Sequence, residues 1–333
     1  MSKNKTIILI IILIVLSIIT WFAIQKRQQT STLSIPETDF TVTDTAAVDS
    51  IFIAAKDGRN NLFKRLPNGR WSINNKYLVR KDMIKMLLET MNQMTVKRPV
   101  SRAARNNVIK TIAVKGIKVE IYSKGELQKT FWVGGNTNDW LGSYFIMQGS
   151  ENPYVVHIPG FNGFISGRFN VYEIEWRNRE LFQSTLRTIQ SLSVSYPKWE
   201  MGNGKWEMKN GKISENSFEI IFDSAGFKIE GVIRLDTTKL ISYLNHYKNI
   251  QIEHYFSSLK EGFRDSLDKV TPLCIIKLVD IHAQNTNSIT IYDKENDPDR
   301  MIGVVGKTNE IVSIQHFVFD KLMVKRGYFI KSK

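Results

Sequence analysis

A phrase that occurs twice sets the first limit on what this chain can fold into. Pro67 to Asn75 reads PNGRWSINN and Gly202 to Asn210 reads GNGKWEMKN: in each, Asn-Gly, a basic residue, a tryptophan and an alternating run. Asn-Gly between alternating runs is a hairpin signal, because the central residues of the tight turn need positive φ. The surroundings recur too, which points to a duplicated unit. Ile84, Leu87, Leu88, Met91 and Met94 follow the first phrase at helical spacing. Leu240, Ile241, Leu244 and Tyr247 follow the second, with Asp236 or Thr237 placed to cap the helix. A short strand and a second helix come next in each half: TVKRPV then SRAARNNVIKTI, and IQIEHYFS then SLKEGFRDSLDKV, where Ser258 and Glu261 stand at capping-box spacing. Hairpins at 117–135 and 274–294 follow, and each half closes on a strand ending near His157 or His316 and a short helix with basic and aromatic residues.

Strands outnumber helices and are often joined by short turns, which predicts an α+β fold with antiparallel or mixed sheets and helices on one face. The chain's 333 residues suit two such domains in tandem. We place them at 38–185 and 186–333, the second a diverged copy with an added hairpin near 214–233.

Ahead of them, Thr6 to Ile24 is an uncharged run of 19 residues, close to the ~20 a helix needs to cross a bilayer. It ends in Trp21, Phe22, Lys26 and Arg27 rather than in a small-residue cleavage site, so the expectation is an uncleaved anchor. Residues 1–25 then form a cytoplasmic tail and transmembrane segment, and 26–37 a polar tether. Lys3 and Lys5 balance Lys26 and Arg27, but a long domain translocates largely regardless of flanking charge. The expected location is the inner membrane, single-pass, with the bulk of the chain on the extracytoplasmic side and lipid contacting Thr6 to Ile24.

Net charge is +14, and +10 remains after the four cations flanking the apolar run are set aside. Between Glu89 and Glu120 there is no carboxylate, while Lys97, Arg98, Arg102, Arg105, Lys110, Lys115 and Lys118 fall there. Such a patch suits an acidic protein, anionic lipid headgroups or an anionic polymer, if it is more than a solvated face. Nucleic acid is not expected, because the patch lies on the wrong side of the membrane.

Little in the chain points to catalysis. The five histidines form no HExxH and have no companion cysteines, and no GxSxG elbow, phosphate loop or dinucleotide fingerprint is present. No metal, cofactor or catalytic residue is expected. Cys274 lies in the apolar run PLCIIKLV and reads as a core residue. KENDPDR at 294–300 lacks the spacing of a calcium loop and reads as a solvated acidic loop. EIEWRNRELF at 173–182 is the densest cluster. Glu175 and Arg177 offer half of an acid–base or anion-binding set. The more economical reading makes His157, Trp176, Arg177 and Arg179 a domain-junction cluster, with Trp176 packed and the arginines paired to Glu173, Glu175 or Glu180.

The apolar N-terminal run, NGRW, VHIPGFNG and EWRNRELF together resemble an uncharacterised family of bacterial envelope proteins, the domain of unknown function DUF4340, over the whole chain. The resemblance implies membrane anchoring and an accessory role beside ABC-type export permeases, and it supplies no catalytic residues. The expected function is therefore a membrane-anchored, non-enzymatic accessory or scaffold protein within an envelope complex. The alternative is a module binding an anionic envelope polymer or lipid surface through the basic patch and exposed aromatics such as Trp132 and Trp140.

Overall fold

The computed structural model describes residues 37–202, 205–224, 226–267, 269–295 and 297–331, and for 197–213 the backbone alone. The apolar run Thr6 to Ile24 lies outside the described residues; among those described, no helix is long and apolar enough to cross a membrane. Two compact units divide the chain, the first ending at Trp176 and the second beginning at Arg177. The expected boundary at 185/186 falls later, because residues 177–185 are built into the second unit: Leu181 and Phe182 enter its core, and Glu180–Phe182 pairs with Ile250–Gln251.

In the first unit the strands are β1 (Val48–Ala54), β2 (Asn60–Arg65), β3 (Trp71–Ile73), β4 (Tyr77–Leu78), β5 (Thr95–Pro99), β6 (Ile117–Ser123), β7 (Glu126–Asn136), β8 (Ser143–Met147) and β9 (Tyr154–His157). They form one sheet in the order β4-β3-β2-β1-β6-β7-β8-β9-β5. Helix α1 (Lys81–Gln93) precedes β5, α2 (Arg102–Lys115) follows it, and the short α3 (Glu173–Trp176) ends the unit. In the second unit the strands are β10 (Glu180–Phe182), β11 (Ile189–Ser195), β12 (Pro197–Gly202), β13 (Lys205–Ile213), β14 (Phe218–Asp223), β15 (Gly226–Ile229), β16 (Ile250–Gln251), β17 (His254–Tyr255), β18 (Cys274–Asp280), β19 (Asn287–Tyr292), β20 (Arg300–Val305) and β21 (Ile311–Gln315). Its helices are α4 (Thr237–Asn245), α5 (Phe263–Leu267) and α6 (His316–Phe319), and its main sheet runs β15-β14-β11-β18-β19-β20-β21-β17. Every described strand pair in both main sheets is antiparallel.

The two sheets have the same order once β1, β2, β3 and β5 are set against β11, β14, β15 and β17, and β6 to β9 against β18 to β21. That match corrects the phrase-by-phrase alignment. PNGRW joins β2 to β3, but Gly202 to Asn210 lies in the separate β12–β13 hairpin, which stands between β11 and β14 and has no counterpart. The added hairpin is thus 197–213, and the stretch near 214–233 contains the true equivalent of β2–β3. A turn-and-tryptophan phrase recurs because tight hairpins share one backbone demand, so it is weak evidence of register.

The helices also differ from expectation, for they cover both faces of each sheet. Ile84, Leu87 and Met91 of α1 enter the first core with Ile51, Phe63, Val119 and Phe131. Helix α2 buries only Val108 and Ile112. Ile112 lies against Gly134, which by alternation with core residue Val133 points to the opposite face. The second unit repeats the arrangement: α4 buries Leu240, Tyr243 and Leu244 in its main core, while Leu267 of α5 clusters separately with Ile302 and Ile311. Asp236 caps α4 as expected, accepting from the Lys239 N–H at 3.0 Å. The Ser258 capping box is not used, since α5 begins at Phe263 after Gly262 at φ +76°.

A Cβ on Gly134 would stand 2.7 Å from Ile112 Cγ1 and 3.2 Å from the Tyr144 carbonyl oxygen. Gly134→Val is expected to destabilise the first unit by roughly 1–3 kcal/mol. Amide exchange should accelerate across α2 but not α1, and Ile112→Ala should restore part of the loss.

Candidate interaction surface

Strand β5 is an edge strand, paired only with β9 and interrupted by a bulge between Val96 and Arg98. Cationic, bulged edges resist further strand pairing, and here they leave Lys97 and Arg98 exposed. Helix α2 then presents Arg102, Lys110 and Lys115 to solvent. The other two cations of the patch are engaged locally. The Arg105 guanidinium donates to the Glu151 carbonyl at 3.0 and 3.1 Å and to its carboxylate at 3.2 Å, and Lys118 pairs with Glu120 at 2.5 Å.

Two loops bring aromatic side chains to the neighbourhood of β5. In the first, 136–142, the Thr137 hydroxyl donates to Asp139 and to the Gly142 carbonyl, and the Leu141 N–H donates to Asp139 at 3.1 Å. This turn holds Trp140 at φ +58° with 61 % of its surface exposed. In the second loop, 158–168, Ser143 Oγ accepts the N–H groups of Ile165 at 3.1 Å and Ser166 at 3.0 Å, while the Ser166 hydroxyl donates to Asn136 Oδ1 at 2.5 Å. The loops are thereby tied together, and Trp140 meets Phe164 with ring centroids 5.5 Å apart. Leu141, Phe161 and Phe164 are also exposed, at 41, 40 and 37 %. Trp132, expected beside Trp140, is half-buried on β7. The sequence pattern places Phe161 and Phe164 in a closing helix, whereas the structure has them in a loop. Their signal is the glycine beside each, which marks a turn with no face to bury.

The Thr137 hydroxyl, then the Leu141 N–H and the charges of Lys97 and Arg98, hold the Asp139 carboxyl below its usual value. Burial, then Lys97, lowers the His157 imidazole. Because the folded-state value of Asp139 is depressed, its hold on the turn is complete above the ordinary aspartate range near ~4 and is lost as pH falls through the lowered value. The protection factor of the Leu141 amide, its exchange rate relative to the intrinsic rate at each pH, should fall in that acid window and be flat above it, and Asp139→Asn should show the low protection at neutral pH.

The junction cluster divides between the units. His157 ends β9 opposite Thr95, and Trp176 is fully buried in the first core, edge-on to Phe63 at 4.7 Å, with Nε1 donating to the Asn170 carbonyl at 2.8 Å. Arg177 and Arg179 belong to the second unit. Arg177 Nη2 donates to both Glu310 oxygens at 2.8 Å, its guanidinium lies 3.8 Å from the Tyr255 ring centroid, and the residue is 8 % exposed. The Arg179 carbonyl accepts the Ile252 N–H at 2.9 Å. Arg177 thus has a structural role, with a partner 133 residues away rather than only the neighbouring glutamates. Arg177→Ala should cost roughly 2–4 kcal/mol in urea unfolding by leaving Glu310 and Tyr255 without it.

Among the described residues, three cavities of the first unit bear on this surface. The largest, 610 Å³, lies between the β2–β3 turn and α1, lined by Arg65, Arg70, Trp71, Lys81, Lys85 and Glu89 among others. Trp71 forms its wall from the core side and carries the Arg65 guanidinium 4.8 Å from its ring centroid. A second cavity of 310 Å³ includes Asp49, Glu120 and Tyr122, and a third of 430 Å³ includes Lys56, Arg59 and Lys115. None of the three is lined by histidine or cysteine, and neither His157 nor Glu175 borders any of them. Among the described residues no group of three or more acidic, histidine or cysteine side chains is arranged to hold a metal. Cys274 is buried, which pushes its thiol up to about 12. In the 294–300 loop, Lys294 pairs with Asp297 at 2.5 Å.

Residues 70–266 match the model of a family described as a domain of unknown function, DUF4340. The match is narrower than the whole chain but includes both VVHIPGFNGF and WRNRELF. No curated protein and no solved structure matches the chain.

Proposed function

Since the chain belongs to the DUF4340 family, for which no activity is defined, we propose that it is a membrane-anchored, non-enzymatic accessory protein of the bacterial cell envelope. Thr6 to Ile24 crosses the cytoplasmic membrane once, and both units lie outside it. There they form a scaffold on an envelope complex such as an ABC-type transporter.

The observation that carries this reading is the outer surface of α2. A helix of 14 residues that buries only two apolar side chains is poorly used as core material. It displays Arg102, Lys110 and Lys115, with Val114 67 % exposed between the two lysines. A cationic face with one apolar contact point fits an acidic protein surface, where charge directs encounter and orientation. In full-length tagged protein purified from its native membrane, Arg102→Glu, Lys110→Glu and Lys115→Glu together should reduce co-purifying envelope subunits at least about tenfold, the loss expected of three reversed contacts. Unfolding should be unchanged, because these side chains are exposed. Undiminished recovery of the same partners would remove α2 from the reading.

The 610 Å³ cavity supports a second reading, binding of an anionic envelope polymer, because four cationic side chains and one carboxylate, Glu89, are among those lining it. Retention on peptidoglycan that falls with salt and with Lys81→Glu and Lys85→Glu would favour it over the α2 surface.

A further inference from the structure

We propose that the first unit rests on anionic lipid, with the Trp140 and Phe161–Phe164 loop tips among the headgroups and Lys97 and Arg98 against their phosphates. The proposal deepens the anchored reading and rests on it. Its geometry is that of a rigid patch. Trp140, Leu141, Phe161 and Phe164 project from two loops tied by the Ser143 and Ser166 hydrogen bonds. Exposing four large apolar side chains on ordered loops is costly in water unless something covers them. The cations adjoin them: Lys97 and Arg98 lie on β5, whose partner β9 runs into the 158–168 loop and pairs through Val156 with Ser143 at the end of the 136–142 loop. Tryptophan and phenylalanine at exposed tips with lysine and arginine alongside is the composition of a bilayer interface, where the rings sit at headgroup depth and the cations meet phosphate.

The position of the chain's entry selects lipid over an acidic protein. The Glu37 carboxylate accepts from Asn152 Nδ2 and from the Tyr154 hydroxyl, both at 3.1 Å. Tyr154 begins β9 and pairs with Pro99 of β5, the strand that carries Lys97 and Arg98. The tether therefore enters the unit beside its basic edge. Residues 26–37 reach at most about 40 Å when fully extended. A membrane surface is then held near this edge at all times, at a concentration no diffusing partner matches.

The deciding experiment uses the full-length protein in lipid discs, one set of phosphatidylcholine alone and one rich in phosphatidylglycerol, with amide exchange read at 138–142 and 159–166. Exchange there should be about tenfold slower or more on the anionic discs, in keeping with two cations near an anionic surface. The protection should disappear in Trp140→Asn with Phe164→Ser, where asparagine tolerates the left-handed backbone, and separately in Lys97→Glu with Arg98→Glu. Equal exchange on both lipids, or protection that appears only when other envelope proteins are present, overturns the proposal. Alkaline extraction of native membranes reads the anchor independently. A chain that resists extraction while its loops exchange alike on both lipids keeps the anchor and loses the lipid contact. A chain that is stripped loses the anchor, and its flotation with phosphatidylglycerol vesicles then decides the contact: wild-type binding weakened by Trp140→Asn retains it, and no binding overturns it.

Discussion

Phe131, midway along the first sheet, packs against Phe40, Phe145 and Phe169 at centroid distances of 5.8, 5.6 and 6.1 Å. Leu87 and Met91 of α1 belong to the same core. Each such buried side chain contributes on the order of 1.5–3 kcal/mol by leaving water. The contribution is available only if an antiparallel sheet keeps its alternation in register across nine strands, so that Ile51, Phe63, Val119 and Phe131 face one way. The second unit meets the same requirement with Leu192, Ile220, Ile276 and Ile289 under α4.

Once that face is sealed, the second helix of each unit becomes a lighter element. Helix α2 closes on the opposite face through Val108 and Ile112 and depends on the missing side chain at Gly134. Its remaining positions are released from packing, and among them Arg102, Lys110 and Lys115 are exposed to solvent. The loops at the β9 end of the sheet are similar. Their backbones are secured by Asn136, Ser143 and Ser166, which frees Trp140, Phe161 and Phe164 from any duty inside the core. Rigid support below thus leaves these side chains exposed above.

Some of this was readable along the chain. The apolar spacing of α1, the Asp236 cap and the buried character of Cys274 follow from periodicity and local composition, which neighbouring residues settle among themselves; on α4 Leu240 and Leu244 are buried as spaced, while Ile241 is exposed and Tyr243 is buried in its stead. The basic window from Lys97 to Lys118 was also visible, though not that Arg105 and Lys118 would be engaged by Glu151 and Glu120 while five others remained exposed. Phe161 and Phe164 were hidden for a related reason. An aromatic residue carries the same hydrophobicity inside or outside, and only the closing of two loops on each other showed which way these rings face.

By itself the sequence determined most of the strands and the main helix of each unit, the doubling of a sheet-and-helix pattern, the membership in its family and the place where positive charge collects, because each depends on residues close together or on simple totals. Tertiary structure alone decided the register of the doubling, assigning β14–β15 rather than the tryptophan hairpin β12–β13 as the counterpart of β2–β3. It also put helices on both faces and gave Arg177 the partner Glu310. Strand order and ion pairing join residues more than a hundred positions apart, and nothing in a local pattern records which of several chemically suitable partners the fold will bring within reach.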